Sequence, residues 1–148
     1  MIAVAPATAV DRSDCLHLLA AQLAELGIPL AADRLAAAVD GALAEPARGV
    51  LLVARDGDAV VGVAYVSFVW ALEHGGLSAW LEELYVLPAL RGQGVGGRLL
   101  DQVLALARAR GCAAVDLEVE AEHARSASLY ARAGFRAHAR ARWVRPLG

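Results

Sequence analysis

The sequence contains no lysine; all 14 of its basic residues are arginine. A nucleoside-triphosphate P-loop needs a Lys-Ser/Thr pair after its last glycine, so that absence excludes one. Cysteine is nearly absent too. Cys15 and Cys112 lie far apart without C-x-x-C spacing and read as two reduced, mostly buried thiols. Long apolar runs are missing: hydrophobic residues make up 58% of the chain, but the surplus is helical alanine. No run approaches the 18 or more apolar residues of a membrane span. "MIAVAPATAVDRSD" carries neither a cationic leader nor a sufficient apolar stretch, so the expectation is a cytoplasmic protein. Net charge of one sign is lacking as well. At −2 it gives no support to a polyanion-binding role, and neither nucleic acid nor membrane is an expected partner.

What is present is a period that changes along the chain. At 148 residues, a single domain over 1–148 is expected. "IAVAPAT" reads as a first edge strand. "DRSDCLHLLAAQLAELG" is helical by its spacing of Cys15, Leu18, Leu19, Leu23 and Leu26, with Asp11 or Ser13 as cap and Gly27 as stop. "ADRLAAAVDGALAEP" predicts a second helix capped by Asp33. Two β-branched runs then flank Asp56-Gly57, a hairpin signal. "AWLEELYVLP" predicts a third long strand, "GVGGRLLDQVLALARARG" a helix, "AAVDLEVE" a strand and "HARSASLYARAG" a short helix ended by Gly134. In "FRAHARARWVRPL" arginine and histidine alternate with alanine, which predicts a last strand or two with one solvated face. Tight hairpins imply antiparallel pairing, and the strand–helix–strand unit over 80–119 implies a parallel crossover. The fold class is therefore α+β, a mixed, mostly antiparallel central sheet flanked by about four helices.

The stretch "LPALRGQGVGGRLL" (87–100) carries the most chemistry. A strand that runs through glycines into a helix leaves several amides unpaired at the helix start. The helix dipole adds roughly half a positive charge there. Glycine lets a bulky anion approach the backbone, so phosphate binding is the physical expectation. Gly92, Gly94 and Gly97 spell the dinucleotide triplet G-x-G-x-x-G. Two neighbours reject that register: Pro88-Ala89-Leu90-Arg91 separates strand from turn, and Asp116 stands near the start of the next strand rather than at its end.

The other register, Arg91-x-x-Gly94-x-Gly96, resembles the acetyl-CoA signature of the GNAT superfamily of N-acetyltransferases, Gln/Arg-x-x-Gly-x-Gly/Ala. "LEELYVLPALRGQGVG" is similar to that family's fourth strand, Pro-containing turn and pyrophosphate loop. "AVDLEVEAEHARSASLYARAGF" resembles its fifth strand and the helix ending in Leu-Tyr…Gly-Phe. The specific part of the resemblance covers roughly residues 80 to 136.

The resemblance implies acetyl-CoA as cosubstrate, its pyrophosphate on the amides of Gln93, Gly94, Val95, Gly96 and Gly97. Arg91 stands at the loop entrance, adding charge or bracing the turn. Leu84 and Val86 would pair with the pantetheine arm through backbone groups, as an added strand would, and an amide there can stabilise the acetyl oxyanion. Direct transfer to an amine needs a base, because at pH 7 only about one alkyl amine in a thousand is neutral. Strand alternation points Glu82 and Glu83 to opposite faces, so one should face the amine. The spermidine/spermine acetyltransferases carry a similar "LED" stretch whose working glutamate matches Glu82, which makes Glu82 the first candidate; Glu83 or a water stays open. Tyr130 matches the family tyrosine that protonates the departing thiolate. His123 stands where many relatives carry an asparagine that contacts pantetheine, so it is a cofactor-side candidate with its role open. Tyr65, Phe68, Trp70, Glu73, His74, Trp80 and Tyr85 lie on or near the strands and loop that would border the acceptor site, although strand aromatics are usually core and a loop glutamate is usually solvated. The expected acceptor is a small-molecule amine; a protein N-terminus or lysine, and a CoA-binding module without turnover, are the alternatives. Monomer and homodimer both stay open.

Overall fold

The computed structural model describes residues 1–120 and 124–148. These divide into two compact units, Met1–Glu118 and Val119–Gly148. The first unit runs β1 (Ile2–Pro6), α1 (Arg12–Leu26), α2 (Ala32–Ala44), β2 (Gly49–Asp56), β3 (Ala59–Ala71), β4 (Gly76–Val86), α3 (Val95–Ala109) and β5 (Val115–Leu117). The sheet order is β1-β2-β3-β4-β5, antiparallel except for the parallel β4–β5 pair. The expected mixed, mostly antiparallel sheet is what forms. The Asp56-Gly57 turn joins β2 to β3 with Gly57 at φ 61°.

Two apolar layers sandwich the sheet. On one face Cys15, Leu18 and Leu19 of α1 and Val39 of α2 bury against Leu51, Val53, Val63 and Tyr85. On the other, α3 buries Val95, Leu99, Leu100, Val103 and Ala107. Gly62 lets α3 approach: a Cβ there would meet Leu99 Cδ1 at 3.1 Å and Val95 Cγ1 at 3.4 Å. Gly49 makes room on the α1 face, where a Cβ would run into the Tyr65 hydroxyl and lie 2.8 Å from the Val66 carbonyl.

The caps differ from expectation. Asp11 stands at the N-cap of α1 without capping it. Its buried carboxylate instead accepts from the Thr8 amide at 2.8 Å and pairs with Arg55. Burial would raise that carboxyl, but the Thr8 and Arg55 contacts win and hold it below its usual value. Ala31, not Asp33, is the N-cap of α2. Asp33 sits inside the first turn and accepts from the Arg34 amide.

The second unit holds α4 (Ala124–Arg132), ended by Gly134 at φ 94° with the Phe135 amide donating back to the Tyr130 carbonyl. The strand expected in "FRAHARARWVRPL" does not form: residues 135–148 carry no strand. Alternation describes a face, but a strand exists only where its backbone groups find a neighbouring strand. His123 lies outside the described residues.

Candidate active site

The site is built from one edge of β4. Parallel pairing with β5 covers Ala79, Trp80 and Leu81, and stops there. From Glu82 to Val86 no strand among the described residues pairs with that edge. The direction of its backbone groups follows from the β3 register. The Leu87 amide donates to the Val61 carbonyl at 3.0 Å, so 61/87 is a hydrogen-bonded pair. Antiparallel pairs alternate, which makes 63/85 and 65/83 hydrogen-bonded and 64/84 and 62/86 not. Leu84 and Val86 therefore turn their N–H and C=O groups away from β3, toward the open edge.

Two side chains occupy the carbonyls of that edge. Arg91 Nε donates to Val86 O at 2.9 Å, and Gln22 Nε2, from α1, donates to Leu84 O at 3.4 Å. Arg91 also pairs with Glu25 at 2.9 Å and stacks 5.1 Å over the Tyr85 ring. Of its two expected roles, the structure shows bracing: the guanidinium ties the loop entrance to β4 and to α1. Among the described residues, the N–H groups of Leu84 and Val86 have no strand partner on that edge. Gln22 is the residue that sequence reasoning missed. Its contact spans 62 positions, and no local pattern signals it. Its Oε1 is buried without a hydrogen-bond partner among the described residues, a state that costs about 1–3 kcal/mol when left unfilled.

The β3–β4 register slips between Tyr65 and Val66. Tyr65 opposes Glu83, Val66 opposes Leu81, and Glu82 is the extra residue. A bulge sets two residues against one, so simple alternation does not assign the faces of Glu82 and Glu83 here. Glu82 is exposed, whereas Glu83 is partly buried. Burial first, and the Glu82 charge second, push the Tyr65 phenol above its ordinary value, which places that carboxylate within electrostatic reach of Tyr65.

Beyond Val86 the chain makes a 3-10 turn at Pro88–Leu90 and enters the glycine loop. Gly92 (φ 77°) and Gly94 (φ 86°) adopt the left-handed conformation, and Gly94 caps α3. A Cβ at either would meet nothing within 4 Å, so the backbone faces open space. Among the described residues, the amides of Gln93, Gly94, Val95, Gly96 and Gly97 donate no backbone hydrogen bond; the series resumes at Arg98, which donates to Gly94 O. The Gln93 side chain turns back to the Ala89 carbonyl. Five unpaired amides at a helix start fit an anionic group with several oxygens, and the open N–H groups of β4 fit an extended amide-bearing arm.

The remaining candidates divide. His74 Nε2 lies 2.8 Å from Asp116 Oδ2, so Asp116 is engaged across the sheet end. Phe68 is covered by Arg110 at 4.5 Å, Tyr85 is core, and Trp70 is exposed. Tyr130 belongs to the second unit, edge-on to Phe135 with ring centroids 5.9 Å apart. Burial pushes its phenol up to about 12, so it is protonated at neutral pH. No group of three or more His, Cys, Asp or Glu that could hold a metal occurs among the described residues. No helix there is long and apolar enough to cross a membrane.

A strand edge without a strand partner among the described residues runs into a helix start with unpaired amides, an arrangement that fits an extended, phosphate-bearing ligand. The chain matches the acetyltransferase (GNAT) family over residues 16–135. It is 37% identical over 109 residues to an aminoglycoside N(6')-acetyltransferase type 1 from Klebsiella aerogenes, covering 72% of this chain and 71% of that one. It is 40% identical over 103 residues to a mycothiol acetyltransferase from Clavibacter michiganensis, covering 66% of this chain and 31% of that protein. An integron cassette protein from the mobile metagenome of Cole Harbour Salt Marsh superposes with a TM-score of 0.86 at 26% identity, over 98% of this chain and 90% of the other. The chain belongs to the GNAT acetyltransferase family and is an acyltransferase.

Proposed function

We propose that this protein moves the acetyl group of acetyl-CoA directly to a primary amine of a small molecule, with Glu82 as base and Tyr130 as acid. The observation that carries this reading is the β4 bulge, whose extra residue is a carboxylate set beside the open N–H groups of the same strand. When bound, acetyl-CoA supplies an electrophilic thioester carbonyl and a thiolate leaving group. The amides of Gln93–Gly97 hold its pyrophosphate. The N–H groups of Leu84 and Val86 hold the arm, and one of them donates to the acetyl oxygen as negative charge builds there. Glu82 takes a proton from the ammonium, directly or through water, freeing the nitrogen lone pair to form the N–C bond as the C–S bond breaks.

Tyr130 returns a proton to sulfur; the second proton that the nitrogen sheds to become a neutral amide restores the phenol, and Glu82 releases its own to solvent. Its phenol near 12 is a weaker acid than an ordinary thiol. Exclusion of water that raises the phenol would also raise a thiolate brought beside it, which narrows the gap. A small-molecule acceptor is supported by the relative from Klebsiella aerogenes, whose name specifies acetylation of an aminoglycoside nitrogen. The test is thiol release from acetyl-CoA across a panel of primary amines (a diamine, an amino sugar, an amino-acid ester, an aminoglycoside). We expect amine-dependent release with at least one of them. Acetyl-CoA binding without release, on these amines and on peptides, would leave a binding module instead.

A further inference from the structure

Resting on that function, we propose that Gln22 is an acceptor-binding residue: its Oε1 holds one N–H of the amine while Glu82 removes another. The amide is oriented by its other end. Nε2 donates to the Leu84 carbonyl on the open β4 edge, which leaves Oε1 as a hydrogen-bond acceptor and nothing else. That oxygen is buried and has no donor among the described residues. Buried polar atoms are rarely left so, and a donor belongs beside it when the site is filled.

Two donors are chemically available, an N–H of the acceptor amine or an amide N–H of the pantetheine arm. The placement favours the amine. Gln22 rises from α1, which packs on the sheet face carrying Val63, Tyr65 and Tyr85. Glu82, the bulge residue, stands two residues from Leu84 along the same strand. Oε1 and the proposed base therefore meet the same short stretch of β4. An ammonium offers three N–H groups; one proton passes to Glu82 and one N–H stays on Oε1, which orients the lone pair at the acetyl carbon.

The experiment uses the full chain, the most active amine of the panel, and steady-state thiol release with each substrate varied in turn. Gln22→Met keeps the length and removes the acceptor oxygen. It should raise the KM of the amine about tenfold and leave that of acetyl-CoA within about twofold. Gln22→Glu keeps an acceptor oxygen and should recover most of that loss. A rise confined to the acetyl-CoA KM would assign Oε1 to the arm and overturn the proposal. So would a Glu variant worse than Met, since a carboxylate against the Leu84 carbonyl harms a purely structural plug most. If the Met variant does not fold, the Glu variant decides by itself, and an amine KM raised more than about tenfold over the parent overturns the proposal. A parent chain inactive with every amine is a separate result: it removes the proposed function first, and this inference with it.

Discussion

Glu82 shows what a single inserted residue does. In an even strand it would share the surface with its neighbours by simple alternation. As the extra residue of a bulge it stands beside the backbone groups that are free to bind a cosubstrate. If it is the base, Glu82→Gln should lower kcat/KM for the amine about a hundredfold near neutral pH. The deficit should shrink as pH approaches the amine's own value near 10, where the nucleophile is already neutral. A pH–rate profile beside Glu83→Gln checks this, and a deficit of constant size across pH would remove Glu82 from that role. The residue type was legible in "LEELYV", but its orientation was not, because nothing in the composition of a strand announces a bulge. Gln22 was illegible for a different reason: its meaning lies in Leu84, and only the packing of α1 on the sheet brings the two together.

Elements were legible where their signal is local. Helical spacing gave α1, α2 and α3, Asp56-Gly57 gave the hairpin, and the glycines gave the anion nest. The C-terminal alternation gave a strand that does not exist, since pairing is not a local property. The β2–β3 hairpin carries a further element-scale constraint at Gly49, whose φ is ordinary but whose missing Cβ is filled by the Tyr65 ring. Two of the three atoms nearest that point belong to Tyr65 and the third is the backbone carbonyl of Val66 at 2.8 Å, so moving the ring relieves only part of the clash. Gly49→Ala should therefore cost about 1–3 kcal/mol by overpacking, measured by urea unfolding. It should also shift the tyrosine environment near Glu82. A second substitution, Tyr65→Leu, should recover the part of the loss that comes from the ring and leave the part that comes from the Val66 carbonyl. No recovery would place the strain in the backbone instead.

At the scale of the whole molecule, the missing lysine gives the protein an unusually simple alkaline titration. Lysine ordinarily dominates proton release around pH 10 and arginine releases none. Here the side chains that titrate from pH 9 upward are two cysteines and three tyrosines. All five are raised. Burial pushes Cys15 from 9.0 to about 11 and Tyr130 to about 12, and burial is also the leading cause at Cys112, Tyr65 and Tyr85. A group whose folded value lies above its unfolded one stabilises the fold fully below the unfolded value and loses that contribution as pH rises through the folded value. Each of the five acts in this direction, so stability should hold to about pH 9 and fall steadily toward pH 12. The fully buried Cys15 alone moves by about two units, which corresponds to about 3 kcal/mol lost between pH 9 and 11. Thermal unfolding from pH 8 to 11 reads this directly. Cys15→Ala should lower Tm at pH 8, because it leaves a small cavity between α1 and the sheet. Its Tm should then decline less steeply above pH 9 than the parent's. Curves that run parallel through that window would show that the thiol releases its proton as readily in the folded chain as in the unfolded one, and that the α1 face admits water.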